Sequence, residues 1–418
     1  MTDAGAGAAD REHDVVVYGA TGFVGRLLAA ELAQRAPDGL RVALAGRSER
    51  RLGDVRAGLP DRARDWPLLA ADAADPEALA ALAASTRVVV TTVGPYARYG
   101  LKLARACAEA GTHYADLTGE VLFVRELADA CDETARRTGA RLVNACGYDS
   151  IPSDLAVHLL HQRAAADGAG GLCDTTLLAR AKGALSGGTI DSARAQADAV
   201  RADRSRLTAL FDPYALSPDR AAEPRPGGER DPREVWLDRD TGQWVGPFVM
   251  GVFNSRIVRR SNALLGHAYG PRFRYREVSG YGRGARGRRR ALAFTAGLGL
   301  ALRAMANPRT RPWFDRLAPK PGEGPDEAAR AAGWFRMETR TTTESGRRYL
   351  AVVAAQGDPG YAATAVMLAE STLCLARDGD RLPAATGVLT PAVAMGDALV
   401  DRLRERGLTL TVEEVGGA

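Results

Sequence analysis

Residues 15–25, VVVYGATGFVG, indicate the fold of this chain. Three consecutive valines are typical of a strand that is buried on both faces, and the glycines that follow have the spacing G-x-x-G-x-x-G. In such a turn, Gly19 permits the tight bend after the strand, and Gly22 lets the backbone approach a pyrophosphate. Gly25 lets the next helix, predicted over residues 23–35, pack closely on the sheet. The stretch therefore predicts a strand, a dinucleotide-binding turn and a helix.

The start of this helix offers free backbone N–H groups and the positive end of the helix dipole to phosphates. We expect the cofactor to be bound by residues of the turn and the first helical turn, namely Gly19, Thr21, Gly22, Phe23, Val24 and Gly25.

The next apolar run, residues 41–45, ends in Gly46-Arg47-Ser48, with Arg51 close behind. Enzymes that use NAD have an acidic residue at this strand end, where it binds the ribose 2′-hydroxyl. Arg47 can instead form a bidentate pair with a 2′-phosphate, and Ser48 can add a hydrogen bond. The pattern predicts NADPH as the cofactor, although an exposed basic turn would also suit an arginine-rich chain. Asp72, after the third strand, is a candidate contact for the adenine amino group.

Composition excludes several classes of function. The chain has 418 residues, enough for two domains, with 46% hydrophobic and 26% charged residues, as in soluble globular proteins. A net charge of +5 without a zinc-finger or RNP-like pattern does not favour nucleic-acid binding. The five cysteines contain no C-x-x-C pair, so we expect a reduced, cytoplasmic protein without a metal site. Residues 1–13 lack the apolar core of a signal peptide and are predicted to be a disordered tail.

Strand and helix patterns alternate up to about residue 145. Further strands are predicted at residues 68–71, 87–91, 113–117 and 141–145, with helices at 100–109 and 122–138. The fold class is therefore α/β, a Rossmann-type doubly wound parallel sheet of six strands. Ligands bind at the carboxyl ends of such strands, so the loops there should face the nicotinamide. They contain Gly94, Pro95 and Tyr96, then Asp116, Thr118 and Glu120, then Tyr148, Asp149 and Ser150.

The pattern changes after residue 150. Long stretches at 217–234 and 318–333 indicate surface loops, and alternating runs at 334–344 and 348–356 indicate paired antiparallel strands. Helices at 362–377 and 391–406 are expected to return to the first domain. We infer a nucleotide domain of residues 14–150 and about 360–418 around an inserted α+β domain of residues 151–359, which would hold the substrate or an oligomer interface.

Residues 286–306 have two interpretations. Their apolar part is short for a membrane-spanning helix, which needs about 20 apolar residues. A core or homodimer-interface helix is one interpretation, and a segment that rests on a membrane or contacts an acyl chain is the other.

Several longer motifs carry a family resemblance: GATGFVG, AGRSERRL, TTVGPYARYG, YADLTGE and NACGYDSIPSDL. With RIVRRSNAL at 256–264, KPG at 320–322 and GVLTPAVAMGDAL at 387–399, the chain resembles the saccharopine dehydrogenase-like oxidoreductases. Within that group it is most similar to the trans-acting enoyl reductases of mycobacterial polyketide lipid and phenolic glycolipid synthesis. The resemblance implies an NADPH-binding Rossmann domain and a saccharopine-reductase-like second domain. It also implies reduction of an α,β-double bond on an acyl carrier protein, for a polyketide synthase that lacks its own enoyl reductase domain.

This chemistry requires a donor to the thioester oxygen and a proton for the α-carbon. Tyr96, Tyr148 and Ser150 are the candidate donors, and Asp149 or Asp116 could orient them or cap helices and turns. Buried structural tyrosines are the alternative, and the dyad Tyr-x-x-x-Lys is absent from the sequence. His158 and His161 are expected to be packed rather than catalytic. An imine-reducing enzyme of the same fold and a non-enzymatic NADPH sensor remain alternative functions.

Arginines cluster in the second domain, and we expect an acidic carrier protein or anionic lipid headgroups to bind them. A solvated basic face is the other interpretation. The residues are Arg256, Arg259, Arg260, Arg272, Arg274, Arg276, Arg283, Arg286, Arg288, Arg289 and Arg290.

Overall fold

Two seven-stranded sheets organise the computed structural model, which describes residues 11–183, 187–317 and 324–416. The predicted KPG turn lies outside these residues. The strands of the first sheet are β1 (His13–Tyr18), β2 (Val42–Gly46), β3 (Leu68–Ala70), β4 (Thr86–Thr91), β5 (His113–Ala115), β6 (Arg141–Val143) and β13 (Gly387–Leu389).

The first sheet is parallel, with the order β13-β6-β5-β4-β1-β2-β3. The part β3-β2-β1-β4-β5-β6 has the strand order of a Rossmann fold. β1 lies between β2 and β4, and Val15, Val16 and Val17 are fully buried. The prediction of a doubly wound sheet is confirmed, and β13 adds a seventh strand that it did not include.

Helices cover both faces of this sheet. They are α1 (Phe23–Arg35), α2 (Glu49–Ala57), α3 (Pro76–Ala84), α4 (Tyr96–Ala110), α5 (Val121–Thr138), α6 (Ile151–Ala166), α13 (Thr364–Arg377) and α14 (Pro391–Glu405). α1 has the predicted bounds. α4 begins at Tyr96, four residues before the predicted start, because the carboxylate of Glu120 accepts hydrogen bonds from the N–H groups of Tyr96 and Ala97. α13 packs on α1 and β4, and α14 packs on α13 and α6, so these helices return to the first domain as predicted.

The second sheet is mixed, with the order β14-β12-β11-β7-β10-β9-β8. Its strands are β7 (Leu172–Lys182), β8 (Trp236–Asp238), β9 (Gln243–Pro247), β10 (Arg274–Gly280), β11 (Trp334–Thr343), β12 (Arg348–Gln356) and β14 (Thr409–Glu414). The predicted antiparallel pair is confirmed as β11 and β12. The accompanying helices are α7 (Gly187–Ala202), α8 (Ser205–Phe211), α9 (Gly251–Leu264), α10 (Gly284–Ala306), α11 (Arg311–Leu317) and α12 (Glu327–Ala331).

Three boundaries differ from the sequence-based expectation. β14 pairs with β12 and buries Leu410, so the end of the chain completes the second sheet rather than the first domain. β1 starts at His13, and Arg11 before it donates hydrogen bonds to the carbonyl oxygens of Ala83 and Ala110, so the predicted tail does not extend to residue 13. α12 forms inside a predicted loop because the side chain of Asp326 caps it by accepting from the N–H of Ala329. Residues 217–234 contain no helix or strand, as predicted.

Candidate active site

The glycine turn between β1 and α1 has the geometry of a phosphate-binding loop. Gly19 has a φ of +88°, and a Cβ there would lie 2.6 Å from Val93 Cγ2. A Cβ on Gly25 would lie 2.2 Å from the Gly19 carbonyl oxygen, so the helix approaches the turn too closely for any side chain. Gly22 is exposed, and a Cβ on it would contact only the Gly19 oxygen, at 3.3 Å. The turn leaves no space for a side chain at Gly19 and Gly25, where it packs. It is open at Gly22, where a pyrophosphate would lie.

The start of α1 is available to an anion. Among the described residues, no side chain caps this helix, so the first-turn N–H groups have no side-chain acceptor. Thr21 is half-buried, and its carbonyl accepts from Arg26, which fixes the turn. The ring of Phe23 packs edge-on against Tyr361, with the ring centroids 4.9 Å apart. The turn therefore presents free N–H groups of the kind that bind a pyrophosphate.

The residues predicted to select NADPH lie together at the ends of β2 and β3. Arg47 and Asp72 are both exposed, and both influence the pKa of the Tyr18 hydroxyl. Burial raises the pKa of Tyr18 to about 12; Asp72 also raises it and Arg47 lowers it. Ser48 caps α2 by accepting from the N–H of Arg51, at 3.4 Å. Within the described parts of the chain, Arg47 and Arg51 form no ion pair, so their guanidinium groups are available to a 2′-phosphate.

A cavity of about 340 Å³ adjoins the glycine turn at the carboxyl ends of β1, β4, β5 and β6. The first domain contributes Gly22, Phe23, Val24, the loop with Gly94 and Pro95, and residues of the two following loops. The second domain contributes α7, Val249–Phe253 and one residue of α10. Most of the larger side chains in the wall are apolar, namely Leu117, Val121, Leu210, Met250, Phe253 and Leu302.

Asp149 brings a carboxyl group to this cavity. The residue lines the cavity wall, and a Cβ on Gly119 opposite would lie 3.8 Å from Asp149 Oδ2. Nothing in the described ranges donates a hydrogen bond to the carboxyl or forms an ion pair with it. Burial raises the pKa of Asp149 to about 7. A large fraction of this carboxyl is therefore protonated at neutral pH and able to donate a proton.

Tyr96 reaches the cavity with its ring but not with a free hydroxyl. The hydroxyl donates to the carbonyl of Thr91, at 3.2 Å, and accepts from the N–H of Leu117, at 3.1 Å. Burial raises the pKa of Tyr96 well above its ordinary value. Both hydrogen bonds join the ends of β4 and β5, so this tyrosine supports the loops of the site.

The structure does not bring Tyr148 or Ser150 to the cavity. Tyr148 is buried against Phe335, with the ring centroids 5.0 Å apart, because its side chain points from the loop toward the second sheet. Ser150 is fully buried and donates to Asn254 Oδ1 at 3.1 Å, within a network that includes Glu277. Of the three consecutive candidates, only Asp149 lines the cavity.

Asp116 and Glu120 form hydrogen bonds within the fold and do not line the cavity. Asp116 is fully buried and accepts from the N–H groups of Thr118 and Ala145 and from the side chains of Tyr114 and Asn144. Burial raises its pKa to about 6. Besides capping α4, Glu120 accepts from Ser192 Oγ at 2.7 Å and so attaches α7 to the first domain.

Helix α7 supplies polar cavity residues that the sequence analysis missed. They are Thr189, Asp191, Ser192 and Gln196. The Oε1 atom of Gln196 is buried and has no hydrogen-bond partner among the described residues. An amide in this position can bind a polar group of the substrate or cofactor. No sequence signal identified these residues, because α7 looks like an ordinary alanine-rich helix and its place on the cavity depends on tertiary packing.

The predicted arginine surface is wrong for the three arginines of α9. Arg256, Arg259 and Arg260 are 1%, 5% and 2% exposed, so they cannot bind a partner protein. Arg256 forms an ion pair with Asp231 at 2.6 Å, and Arg259 donates to the carbonyls of Glu229 and Tyr275.

Arg260 donates to the carbonyls of Leu216 and Val388. These three arginines hold the loop after α8 and strand β13 against α9. Arg274 is paired with Asp174 at 2.7 Å. The exposed members are Arg272, Arg276, Arg283, Arg286, Arg288, Arg289 and Arg290.

The two histidines of α6 do not line the cavity. His158 contacts Asp397 at 3.0 Å and His161 packs on Tyr269, away from the cavity. Within the described ranges, no group of three or more His, Cys, Asp or Glu residues could hold a metal ion. A search of the same residues finds no helix that is long and apolar enough to cross a membrane.

Comparisons with known proteins agree with this geometry. Residues 15–146 match the family model described as the saccharopine dehydrogenase NADP binding domain. A Mycobacterium tuberculosis protein provisionally named a trans-acting enoyl reductase is 50% identical over 96% of this chain and 98% of its own length. The trans-acting enoyl reductase of Mycobacterium ulcerans is 48% identical over 97% of this chain and 98% of its own length.

A solved structure of similar fold is saccharopine dehydrogenase (L-Glu forming) from Saccharomyces cerevisiae. Its TM-score is 0.56 at 14% identity, over 97% of this chain and 100% of that chain, so the likeness concerns the fold alone. The mycobacterial relatives match nearly the whole chain. The chain therefore belongs to the trans-acting enoyl reductase family, and its first domain is an NADP-binding domain of the saccharopine dehydrogenase type.

Proposed function

We propose that this protein is an NADPH-dependent trans-acting enoyl reductase that reduces the α,β-double bond of a carrier-bound acyl thioester. The observation that carries the proposal is the protonatable carboxyl of Asp149 in an apolar cavity beside the glycine turn. Reduction of an enoyl thioester needs a hydride at the β-carbon and a proton at the α-carbon. Family membership supports the same reaction, since the mycobacterial relatives carry this name.

The cofactor, when bound, supplies the hydride. We assign its pyrophosphate to Gly19, Thr21, Gly22 and the first-turn N–H groups of Phe23, Val24 and Gly25. Arg47, Ser48 and Arg51 would hold the 2′-phosphate, and Asp72 would contact the adenine. Gly94 and Pro95 line the cavity past the turn and orient the reacting end.

Asp149 donates the proton to the α-carbon once negative charge has developed on the thioester. A carboxyl with a pKa near 7 is matched to this task at neutral pH. The apolar side chains of the wall can accommodate an acyl chain, and about 340 Å³ is within the ordinary range for small-molecule sites. Tyr96 and Glu120 position the loops without touching the reaction.

The test measures NADPH oxidation with a crotonyl thioester. We expect turnover with the wild-type chain and about a hundredfold less with Asp149→Asn, at unchanged NADPH affinity. Turnover only with an amino acid and aldehyde that form an imine would replace this reaction with imine reduction. NADPH binding without turnover of any of these substrates would indicate a sensor.

We further propose that the substrate is delivered by the acyl carrier protein of a polyketide synthase that lacks its own enoyl reductase domain. The proposed setting is the cytoplasm, and the five cysteines are all buried and free of disulfides. Comparison of carrier-bound with free crotonyl thioester tests the partner. A higher kcat/KM for the carrier-bound form supports delivery in trans, and equal values for the two forms contradict it.

A further inference from the structure

Helix α10 leaves most of its apolar surface uncovered. Of its 23 residues, only Gly287, Ala291 and Met305 are buried. Leu292 is 48% and Leu300 69% exposed, whereas large apolar residues ordinarily lie inside a fold. Three further large apolar side chains on α10 and the adjoining α11 are exposed, namely Phe294, Leu302 and Trp313.

Some outward positions of α10 form one stripe. Exposed residues lie on more than one side of α10, and those at positions 289, 292, 293, 296, 300 and 303 share one helical face. We define the outer stripe as Arg289, Leu292, Ala293, Ala296, Leu300 and Arg303. It is apolar in the middle, has an arginine at each end, and is about 21 Å long at 1.5 Å per residue.

The segment of sequence that contains α10 carries positive charges and no negative ones. Between Glu277 and Asp315 the sequence contains no acidic residue and eight arginines. Arg311 is paired with Asp198 at 2.5 Å. The other seven have no carboxylate partner within the parts of the chain that the structure describes: Arg283, Arg286, Arg288, Arg289, Arg290, Arg303 and Arg309.

We propose that α10 lies flat on an anionic lipid surface, with the apolar middle of the outer stripe among the acyl chains and its arginines at the headgroups. A helical face with exposed leucines and alanines between two arginines has the composition of an interfacial helix. Negative headgroups supply the charge that this part of the chain lacks. The proposal is independent of the reductase chemistry, because it concerns only the outside of the second domain.

A second copy of the chain fits this stripe less well. Antiparallel pairing of two α10 helices would bring Arg289 of one copy to Arg303 of the other, and α10 itself has no acidic residue to compensate. An acidic protein surface would match the arginines but would leave Leu292 and Leu300 against polar groups. A lipid surface is the occupant that satisfies both the charge and the apolar middle.

The same helix also forms part of the cavity. Leu302 lines the cavity wall and is 50% exposed, and it lies on a different side of α10 from the outer stripe.

Vesicle co-flotation of the full chain tests the proposal. We expect flotation with phosphatidylcholine vesicles that contain phosphatidylglycerol, and much less with phosphatidylcholine alone. Leu300→Glu should lower partitioning at least about tenfold, because it places a carboxylate among the acyl chains. The double reversal Arg289→Glu/Arg303→Glu should lower it by more than about tenfold, since each arginine near an anionic surface contributes roughly a fivefold factor.

Matched controls carry the same substitutions elsewhere on the surface. Leu237→Glu on β8 and Arg239→Glu beside it change exposed residues outside α10 and should float like the wild type. Unchanged NADPH binding shows that each variant is folded. Absence of flotation with anionic vesicles, or equal flotation of the α10 variants, would overturn the proposal. So would a stable dimer in sedimentation that Leu300→Glu dissociates, because the outer stripe would then be a subunit interface.

Discussion

The carboxyl of Asp149 lies at the cavity, whereas the side chains on either side of it do not. Its carboxyl faces an apolar cavity and lacks a compensating donor among the described residues, so burial alone determines the direction of its pKa. Tyr148 and Ser150 are held in the packed interior by Phe335 and Asn254. One carboxyl is therefore poised for proton transfer, while its neighbours maintain the loop.

Substitution of Asp149 should separate catalysis from binding. We expect Asp149→Asn to reduce kcat about a hundredfold and to leave the Kd of NADPH within about twofold, because Asn cannot donate a proton as an acid. Tyr148→Phe and Ser150→Ala serve as matched controls and should retain near-normal turnover. A larger loss in Tyr148→Phe than in Asp149→Asn would place the proton donor on the tyrosine.

The rate should depend on pH with a definite sign. The protonated form of Asp149 predominates below its pKa of about 7, so kcat should be constant at lower pH and fall about tenfold per unit above it. The profile is obtained from NADPH oxidation under saturating substrate. A similar decline in the residual activity of Asp149→Asn would assign the titration to another group.

Cofactor choice should follow Arg47. Arg47→Glu removes a charge-assisted hydrogen bond to the 2′-phosphate and adds repulsion, so NADPH binding should weaken about tenfold to a hundredfold, corresponding to roughly 1.5–3 kcal/mol. NADH binding should change little. Arg50→Glu, three residues along on the exposed side of α2, is the control and should bind both cofactors normally. An unchanged NADPH-to-NADH ratio in Arg47→Glu would contradict the assignment.

The geometry of the glycine turn was easier to predict from the sequence than the direction of the side chains in the later loops. Gly19, Gly22 and Gly25 are required by local backbone geometry, which a sequence pattern records directly. The direction of the side chains in the loop with Asp149 depends on the second sheet and α9, which are distant in the sequence. Loops have no periodicity, so nothing local distinguishes Asp149 from Tyr148.

At the level of elements, one buried carboxylate joins three helices. Asp154 on α6 accepts from Ser261 Oγ on α9 and from the N–H of Ala392, at 2.8 Å, in the first turn of α14. Thr390, which precedes α14, shares the hydroxyl of Ser261 at 2.7 Å. An acceptor from α6 thus caps a helix more than 200 residues away in the sequence.

Removal of this acceptor should destabilise the fold. Asp154→Ala leaves the buried N–H of Ala392 without its acceptor and removes one of the acceptors of the Ser261 hydroxyl, which should lower the free energy of unfolding by about 1–3 kcal/mol in chemical denaturation. Asp154→Asn keeps an acceptor for Ala392 and a donor for Ser261, so it should lose less than about half as much. Equal losses in the two variants would mean that packing volume, not hydrogen bonding, accounts for the effect.

Length and periodicity explain which elements were predictable. α1 was predicted from the glycine turn that precedes it, and the pair β11–β12 was predicted from alternating runs of nine or more residues. β13 has three residues and α12 five, too few to show any period. β14 alternates, but its partner β12 could not be deduced from local sequence, since its assignment depends on which sheet edge is free.

For the whole molecule, the C-terminal segment connects the two sheets. After β13 completes the first sheet, α14 leads directly to β14 at the edge of the second, and Arg406 between them pairs with Glu31 on α1 and Glu370 on α13. The domains are therefore joined by more than the two crossings that an inserted domain requires.

Truncation after Gly407 tests this connection. Loss of β14 exposes the edge of β12 and the buried Leu410, so we expect a lower Tm, a free energy of unfolding reduced by at least about 2 kcal/mol, and aggregation through the open edge. Differential scanning calorimetry and light scattering provide the readouts. The matched control, Leu410→Ala in the full chain, removes the buried side chain but keeps the strand, and should not aggregate.

The place of β13 in the chain also governs biosynthesis. β6 leaves the ribosome about 240 residues before its neighbour β13, a delay of roughly 12–50 s at ordinary elongation rates. During this interval the nascent dinucleotide sheet has an open strand edge, while the whole second domain is being synthesised. The first sheet therefore keeps an open edge at β6 until residues 387–389 have been synthesised, and during this time that edge is exposed to pairing with other chains.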